Sequence, residues 1–388
     1  YPCRHMIRFL TAGESHGPGL VTIVEGMPAG VEVAAEGIAD ELMRRRAGYG
    51  RGARMKLERD ELEIMGGVRF GETLGSPVAV VIRNTEWPKW QEEMSAEPGE
   101  SKKPLTTPRP GHADLAGMQK YDRRDARDIL ERASARETAA RTVAGYLAKQ
   151  LLRGLGVDVI SHVVSIGEVF ADDTELPGPD DLDRIDQSPV RAFSRDAEEA
   201  MIATIDAAKS DRNTLGGVAE VLVYGLPPGV GSHVHFDRKL DARLAEALMS
   251  IQAIKGVEVG DGFKTAARPG SEAHDEIYHD GEGFNRQTNR AGGLEGGMTS
   301  GGPVRVRAAM KPISTVMRPL DTVDVGTKEA TKAFRERSDV CAVPAAGVVM
   351  EQMVAVVIAQ ELQRKFGGDT LRDMQDAVAA YRKRLDSF

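Results

Sequence analysis

The sequence predicts an α+β fold, and three features carry that expectation. Strand-like and helical stretches do not alternate as regular βαβ units, which argues against a doubly wound parallel sheet. A strand, a helix and a glycine-rich hairpin occur twice in the same order along the 388-residue chain. Between the two copies runs a long alanine-rich helical stretch, residues 126–153, suited to close helix packing.

Residues 7–10 form a short apolar strand ahead of the first repeated segment. Val21-Thr-Ile-Val-Glu-Gly-Met-Pro-Ala-Gly-Val31 matches Glu220-Val-Leu-Val-Tyr-Gly-Leu-Pro-Pro-Gly-Val230, each a strand closed by Gly-x-Pro-x-Gly turn chemistry. Helical patterns follow at residues 38–46 and 240–254. Gly66 to Val80 then matches Gly292 to Val306, with eight of fifteen positions identical. The repeat implies two related halves, about 7–83 and 217–310, inside a single domain spanning 6–388. Residues 1–5 are expected to lie outside it.

Residues 91–104 are polar and hold Pro and Gly, which reads as a mobile loop able to act as a lid. A strand is expected at 157–166. Residues 340–362 are apolar nearly all round but interrupted by Pro344, Glu351 and Gln352, which reads as a helix buried between layers rather than a membrane span. An amphipathic helix, 369–385, closes the chain.

Composition removes several function classes. Lys plus Arg number 51 against 59 Asp plus Glu, a net charge of −8, which disfavours general nucleic-acid binding. Cys3 and Cys341 form no CxxC and cannot build a disulfide framework, so a cytoplasmic chain is expected. The first residues carry no secretory apolar region.

The densest chemical signal is Arg44-Arg-Arg46 followed by Gly48-Tyr-Gly-Arg51-Gly-Ala-Arg54. A basic helix end would be served equally by Lys. That every cation is Arg points to bidentate grip on phosphate and carboxylate. The glycines let the loop bend so that these side chains converge.

Ser15 and His16, in Thr11-Ala-Gly-Glu-Ser-His-Gly17, follow the first strand and could face a cleft. No Gly-x-Ser-x-Gly elbow supports a serine hydrolase. In Arg109-Pro-Gly-His112-Ala-Asp114, the aspartate could orient the ring. On residue pattern alone both histidines are equally compatible with ordinary turns. In the helical Glu131-Arg-Ala-Ser-Ala-Arg-Glu137, Arg132 and Arg136 share a face, Ser134 lies opposite, and the glutamates read as a surface ion-pair ladder.

The glycine-rich residues 281–302 can offer backbone N–H groups to a phosphate or a flat ring. Gly260-Asp-Gly-Phe-Lys-Thr265 lacks Walker A spacing, and His233 and His235 lack a third ligand, so no metal site is expected. The residues by themselves point to an intracellular enzyme acting on a multiply anionic, phosphorylated small molecule.

The motifs taken together resemble the chorismate synthase family. The resemblance rests on Thr11 to Gly17, Arg45 to Arg54, Asn84-Thr-Glu-Trp87, Arg109 to Asp114, and Glu131-Arg-Ala-Ser-Ala-Arg-Glu-Thr138. Gln252-Ala-Ile-Lys-Gly256, Asn289-Arg-Ala-Gly-Gly-Leu-Glu-Gly-Gly297, Lys311-Pro-Ile-Ser-Thr315 and Arg337-Ser-Asp339 complete it. One departure is Thr299-Ser300, where many members carry Ser-Asn.

The resemblance implies a lyase that converts 5-enolpyruvylshikimate-3-phosphate to chorismate and phosphate by anti-1,4-elimination. Reduced FMN would lend an electron transiently, without net redox change. It also implies a β-α-β sandwich, helices between two antiparallel sheets, and a homotetramer. No added nicotinamide domain is visible, so an external flavin reductant is expected, with NADPH at most an indirect source.

Residue by residue, the resemblance implies that Arg45, Arg51, Arg54, Arg136 and Arg337 bind substrate. His16 would protonate the departing phosphate and His112 would serve the flavin. Ser15 and Ser134 would be relay serines, and Asp339 the carboxylate near flavin N5. Flavin contacts map to Arg132, Ala133, Ser134, Gln252, Ala253, Gly296, Lys311, Pro312, Ile313, Ser314 and Thr315, with Arg337 at the edge. The alternatives are a non-catalytic phosphoanion or nucleotide sensor and a flavin oxidoreductase with net redox.

Overall fold

A computed structural model describes residues 6–52, 61–172, 175–281, 283–334 and 339–388. Its first sheet is antiparallel and contains β1 (Arg8–Gly13), β2 (Gly19–Glu25), β3 (Glu61–Gly66) and β4 (Val78–Arg83), in the order β1-β2-β4-β3. Helix α1 (Ala35–Arg46) connects β2 to the segment before β3. On β2 and β4 the alternate residues Leu20, Val24, Val78, Val80 and Ile82 are buried, so one face of the sheet meets the core. Leu10, Ile23 and Met65 stand exposed on these strands.

The long helical stretch is divided. Helix α2 (Asp114–Tyr121) precedes α3 (Arg127–Ala133), and Ser134 then turns extended (φ −62°, ψ 143°) before a 3-10 turn, Ala135–Glu137, and helix α4 (Thr138–Gly154). The break has a local cause. The Ser134 hydroxyl accepts from the Arg136 N–H at 3.2 Å, capping the next turn instead of continuing the helix.

The second sheet holds β5 (Asp158–Ile166), β6 (Val169–Phe170), β7 (Gly217–Tyr224), β8 (Ile254–Val259) and β9 (Val304–Met310), in the order β6-β5-β7-β9-β8. Apart from the short β6, that is the order of the first sheet, with β5 in the place of β1. The repeated topology therefore reaches back to Asp158. Helix α5 (Arg195–Ser210) packs on β5 and β6, and α6 (Leu240–Met249) occupies the place of α1. Helix α6 ends before residue 254: Ala253 takes φ 68° and Ile254 opens β8.

Helix α7 (Val343–Phe366) lies against β5 and β7 on one side and α4 on the other, while α4 meets β2. The result is sheet, helices, sheet. Pro344 sits in the first turn of α7, where its missing N–H costs nothing. The helix is long and apolar enough to cross a membrane, yet 94% of its apolar window is buried inside the protein, as a core helix. Helix α8 (Leu371–Leu385) starts at a Thr370–Asp373 capping box.

Contact between α4 and α7 depends on Gly145, where a Cβ would lie 2.2 Å from the Gln352 Cβ. The polar groups that interrupt α7 are paired there. Glu351, fully buried, accepts from Arg44 at 2.8 and 3.0 Å and from the Ser161 hydroxyl at 2.8 Å, and also pairs with Lys149. Lys149 reaches Glu41 at 2.6 Å. Arg44, one of the clustered arginines, thus belongs to the core.

Candidate active site

A cavity of about 450 Å³ opens where β1, the arginine loop, α3–α4 and the start of α7 approach the segment after β9, a size suited to organic ligands of ~300–1,000 Å³. Its cationic lining comprises Arg45, Arg51, Arg109, Arg136 and Lys311; Asp339 is the carboxylate on its wall. Ile251, Ala253, Met310, Ala345 and Val349 supply an apolar surface. The pairing of an apolar wall with clustered cations suits a flat, anionic ligand.

Each charged group is placed by the local fold. Arg45 donates to the Thr138 hydroxyl at 2.8 Å and the Ala135 carbonyl at 2.7 Å, so the last turn of α1 is fixed to the start of α4. The loop beyond α1 docks on residues 339–341. Val340 N donates to the Gly50 carbonyl at 2.8 Å, and Gly52 N to Asp339 at 2.6 Å. Gly50 has φ +83° and lies against Ile205 and the Cys341 backbone, which excludes a side chain. Arg51 pairs with Asp339 at 2.8 Å.

Asn84, at the end of β4, clamps the loop that carries Ser15 and His16. Its amide nitrogen faces the carbonyls of Glu14, Ser15 and Gly17 at 3.1, 3.2 and 2.8 Å, and its oxygen accepts from Arg136 at 3.0 Å.

Both histidines are paired with buried carboxylates. His16 Nδ1 lies 2.9 and 2.8 Å from the two oxygens of Glu131. Burial disfavours the charged form of Glu131, but His16 and Arg127 outweigh it and hold the carboxyl below its usual range. His112 Nδ1 bonds Asp114, which Arg109 also grips at 2.9 Å. Burial is again outweighed, by the hydrogen bonds from His112 and Arg109, and Asp114 is held at about 2. Arg109 reaches on to the Thr315 hydroxyl at 3.0 Å.

The wall opposite the arginines follows β9. Lys311 N donates to the Ala253 carbonyl at 2.9 Å, and the Ile313 carbonyl accepts from Thr214 at 2.8 Å. Burial, with Lys255 nearby, lowers the Lys311 ammonium from its ordinary value. Gln252 donates to Glu137 at 3.1 Å, while its buried amide oxygen has no hydrogen-bond partner among the described residues. An unmet acceptor on a ligand-sized cavity calls for a donor from the ligand.

The chorismate synthase family model matches residues 7–363. The chain belongs to the chorismate synthase family. It is 62% identical over 385 residues to the chorismate synthase of Acidothermus cellulolyticus, covering 97% of this chain and 98% of that one. It is 60% identical to the chorismate synthase of Thermobifida fusca, covering 99% of each. A crystal structure of chorismate synthase superposes with a TM-score of 0.80 at 42% identity, covering 99% of both chains. The protein is therefore a lyase of the shikimate pathway that forms chorismate from a small-molecule substrate, and that family requires reduced flavin.

The cavity gathers most of the expected residues: Ser15, His16, Arg45, Arg51, His112, Ala133, Ser134, Arg136, Gln252, Ala253, Lys311, Ile313, Ser314, Thr315 and Asp339. Others stand apart. Arg132 does not share the Arg136 face, because the break at Ser134 separates them. It donates instead to the carbonyls of Thr11 and Gly13 at 2.9 and 3.0 Å. Pro312 and Gly296 are not among the lining residues, Gly296 standing in the turn between residues 294–295 and 298–299. Arg54 and Arg337 lie outside the described residues.

The expected surface ladder of Glu131 and Glu137 is instead two buried carboxylates, 3% and 6% exposed. Glu131 holds His16, while Glu137 accepts from Thr11, Gln252 and Arg141. Sequence reading missed Glu131 and Asn84 as site residues. Arg127 lies four residues before Glu131 at ion-pair spacing, but that pattern does not distinguish a surface pair from a buried one.

Proposed function

We propose that the cavity binds 5-enolpyruvylshikimate-3-phosphate against reduced FMN and carries out an anti-1,4-elimination. The clustering of Arg45, Arg51, Arg136 and Lys311 on one apolar-walled cavity, in a chain of net charge −8, supports this reading. Arg45, Arg51 and Arg136, with Arg54 and Arg337, bind the phosphate and carboxylates through bidentate bonds. His16 protonates the departing phosphate, Ser15 and Ser134 relay protons, and His112, oriented by Asp114, donates toward the flavin.

Reduced FMN, when bound, supplies transient electron donation with no net redox change. Ala133, Gln252, Ala253, Lys311 and Ile313 to Thr315 hold it from the cavity wall, with Asp339 toward the ring; Arg132, Pro312 and Gly296 contribute from outside that lining. The unmet Gln252 oxygen and the apolar wall fit that group. An external system, drawing on NADPH indirectly, reduces the flavin. The protein acts in the cytoplasm as a homotetramer of single domains, each with two related halves.

The test is anaerobic. Protein, photoreduced FMN and the enolpyruvyl phosphate are mixed, and chorismate absorbance and released phosphate are followed. Many turnovers per flavin, without net flavin oxidation, are expected. Flavin oxidised one-for-one with product would overturn the reading.

A further inference from the structure

His16 is held by more than its own loop. The carboxylate that takes its ring Nδ1 also accepts the His16 backbone N–H, at 3.0 Å to the Glu131 Oε2. Ser15 N donates to the Glu131 carbonyl at 3.0 Å. One residue of α3 therefore fixes both the main chain and the ring of the histidine. Arg127, one turn earlier on the same helix, anchors the carboxylate at 2.8 Å. The Trp90 ring lies 4.0 Å from the His16 ring at 32°, and the Arg127 guanidinium sits 5.0 Å from the Trp90 ring.

We propose that Glu131 is the positioning residue for His16, fixing its Nδ1–H so that proton transfer takes place at Nε2. The proposal rests on the reading of His16 as the acid for the departing phosphate. In the step, the Nε2–H bond breaks, a phosphate oxygen gains the proton, and the electron pair stays on Nε2. The neutral ring keeps its Nδ1 proton bonded to Glu131. A carboxylate bonded to Nδ1 fixes a single tautomer once the ring is neutral. The charged groups beside the ring are Glu131 and Arg127 on α3; Arg45, Arg51, Arg109, His112, Arg136, Lys311 and Asp339 line the cavity that it shares. Trp90 is the aromatic neighbour.

The chain has two tryptophans, so Trp87→Phe leaves Trp90 as the sole indole, and its near-ultraviolet circular dichroism reports the His16 ring packed against it. In that background His16→Ala is expected to change the Trp90 signal. Glu131→Gln should shift the signal toward the His16→Ala spectrum, because the ring loses the carboxylate that seats it. Glu131→Asp, which keeps the charge but shortens the reach, provides the second variant if Glu131→Gln does not fold. In turnover, Glu131→Gln should lower kcat by about tenfold or more with KM changed by less than about threefold. A Trp90 signal and a kcat unmoved by both variants overturn the role of Glu131. Wild-type turnover by His16→Ala would instead overturn the acid reading beneath it, so the two failures are distinct.

Discussion

Arg44 and Glu351 meet through two parallel N–H···O bonds, 2.8 and 3.0 Å long, between α1 and α7. Lys149, Glu41, Arg191 and the partly exposed Asp186 complete a set with three cations and three carboxylates. Removing one member leaves a buried charge uncompensated. Glu351→Gln is expected to destabilise the fold by about 3–5 kcal/mol, read from urea unfolding midpoints at neutral pH.

The same carboxylate gives a pH dependence of fixed sign. Burial opposes ionisation of Glu351, but Arg44 and Lys149 win and hold it well below the ordinary range. Its folded value lies below its unfolded value of about 4.3, so its contribution is complete above that value. The contribution is lost as pH falls toward the folded value. Stability of the wild type should fall more steeply between pH 5 and pH 3 (roughly the unfolded carboxylate range) than that of Glu351→Gln. Parallel curves would show that Glu351 is not linked to acid unfolding.

Gly145→Ala forces a methyl against Gln352 on α7. Overpacking of this kind costs about 1–3 kcal/mol, and the helices have little room to separate between two sheets. A lowered Tm is the expected result; an unchanged Tm would mean that α4 and α7 can slide.

Arg51→Lys keeps the charge but loses the planar fork that meets Asp339 and, on our reading, the substrate. Substrate affinity should fall by about tenfold or more, as for loss of a charge-assisted pair. Isothermal titration with the enolpyruvyl phosphate measures it, and unchanged affinity removes Arg51 from the binding set.

Asp114→Asn removes the negative charge and replaces with a donor one of the two oxygens that hold the His112 ring and Arg109. Turnover is expected to drop by roughly tenfold or more, while binding to the Arg45 side of the cavity persists. Equal kcat in the variant would leave the ring orientation without consequence.

His16→Ala should lower turnover by ~10²–10⁴, the range for loss of a general acid. Single-turnover phosphate release is the direct measurement, because it is insensitive to product dissociation.

Much of this was legible in the residues. The repeated Gly-x-Pro-x-Gly turns and hairpins anticipated the matching sheets. The all-round apolar pattern of residues 340–362 anticipated the buried α7. What remained hidden involved contacts across long sequence separations. Arg44 looked like its neighbour Arg45, yet one turns into the core to Glu351 and the other to Thr138 beside the cavity. Glu131 looked like half of a surface pair, and only the approach of β1 to α3 makes it the partner of His16, 115 residues away. Ser134 stands in a helical pattern, and its break is local: the hydroxyl caps the following turn, a bond that residue pattern alone does not distinguish from a continuing helix.

By itself, the sequence determined the fold class, the family and the type of residue at the site, because periodicity, turn chemistry and ordered motifs are local properties of the chain. The tertiary structure decided which of those residues meet. Burial changes the cost of every charge it encloses. Packing around α7 therefore separates structural Arg44 from cavity Arg45, and the approach of β1 to α3 ties His16 to Glu131.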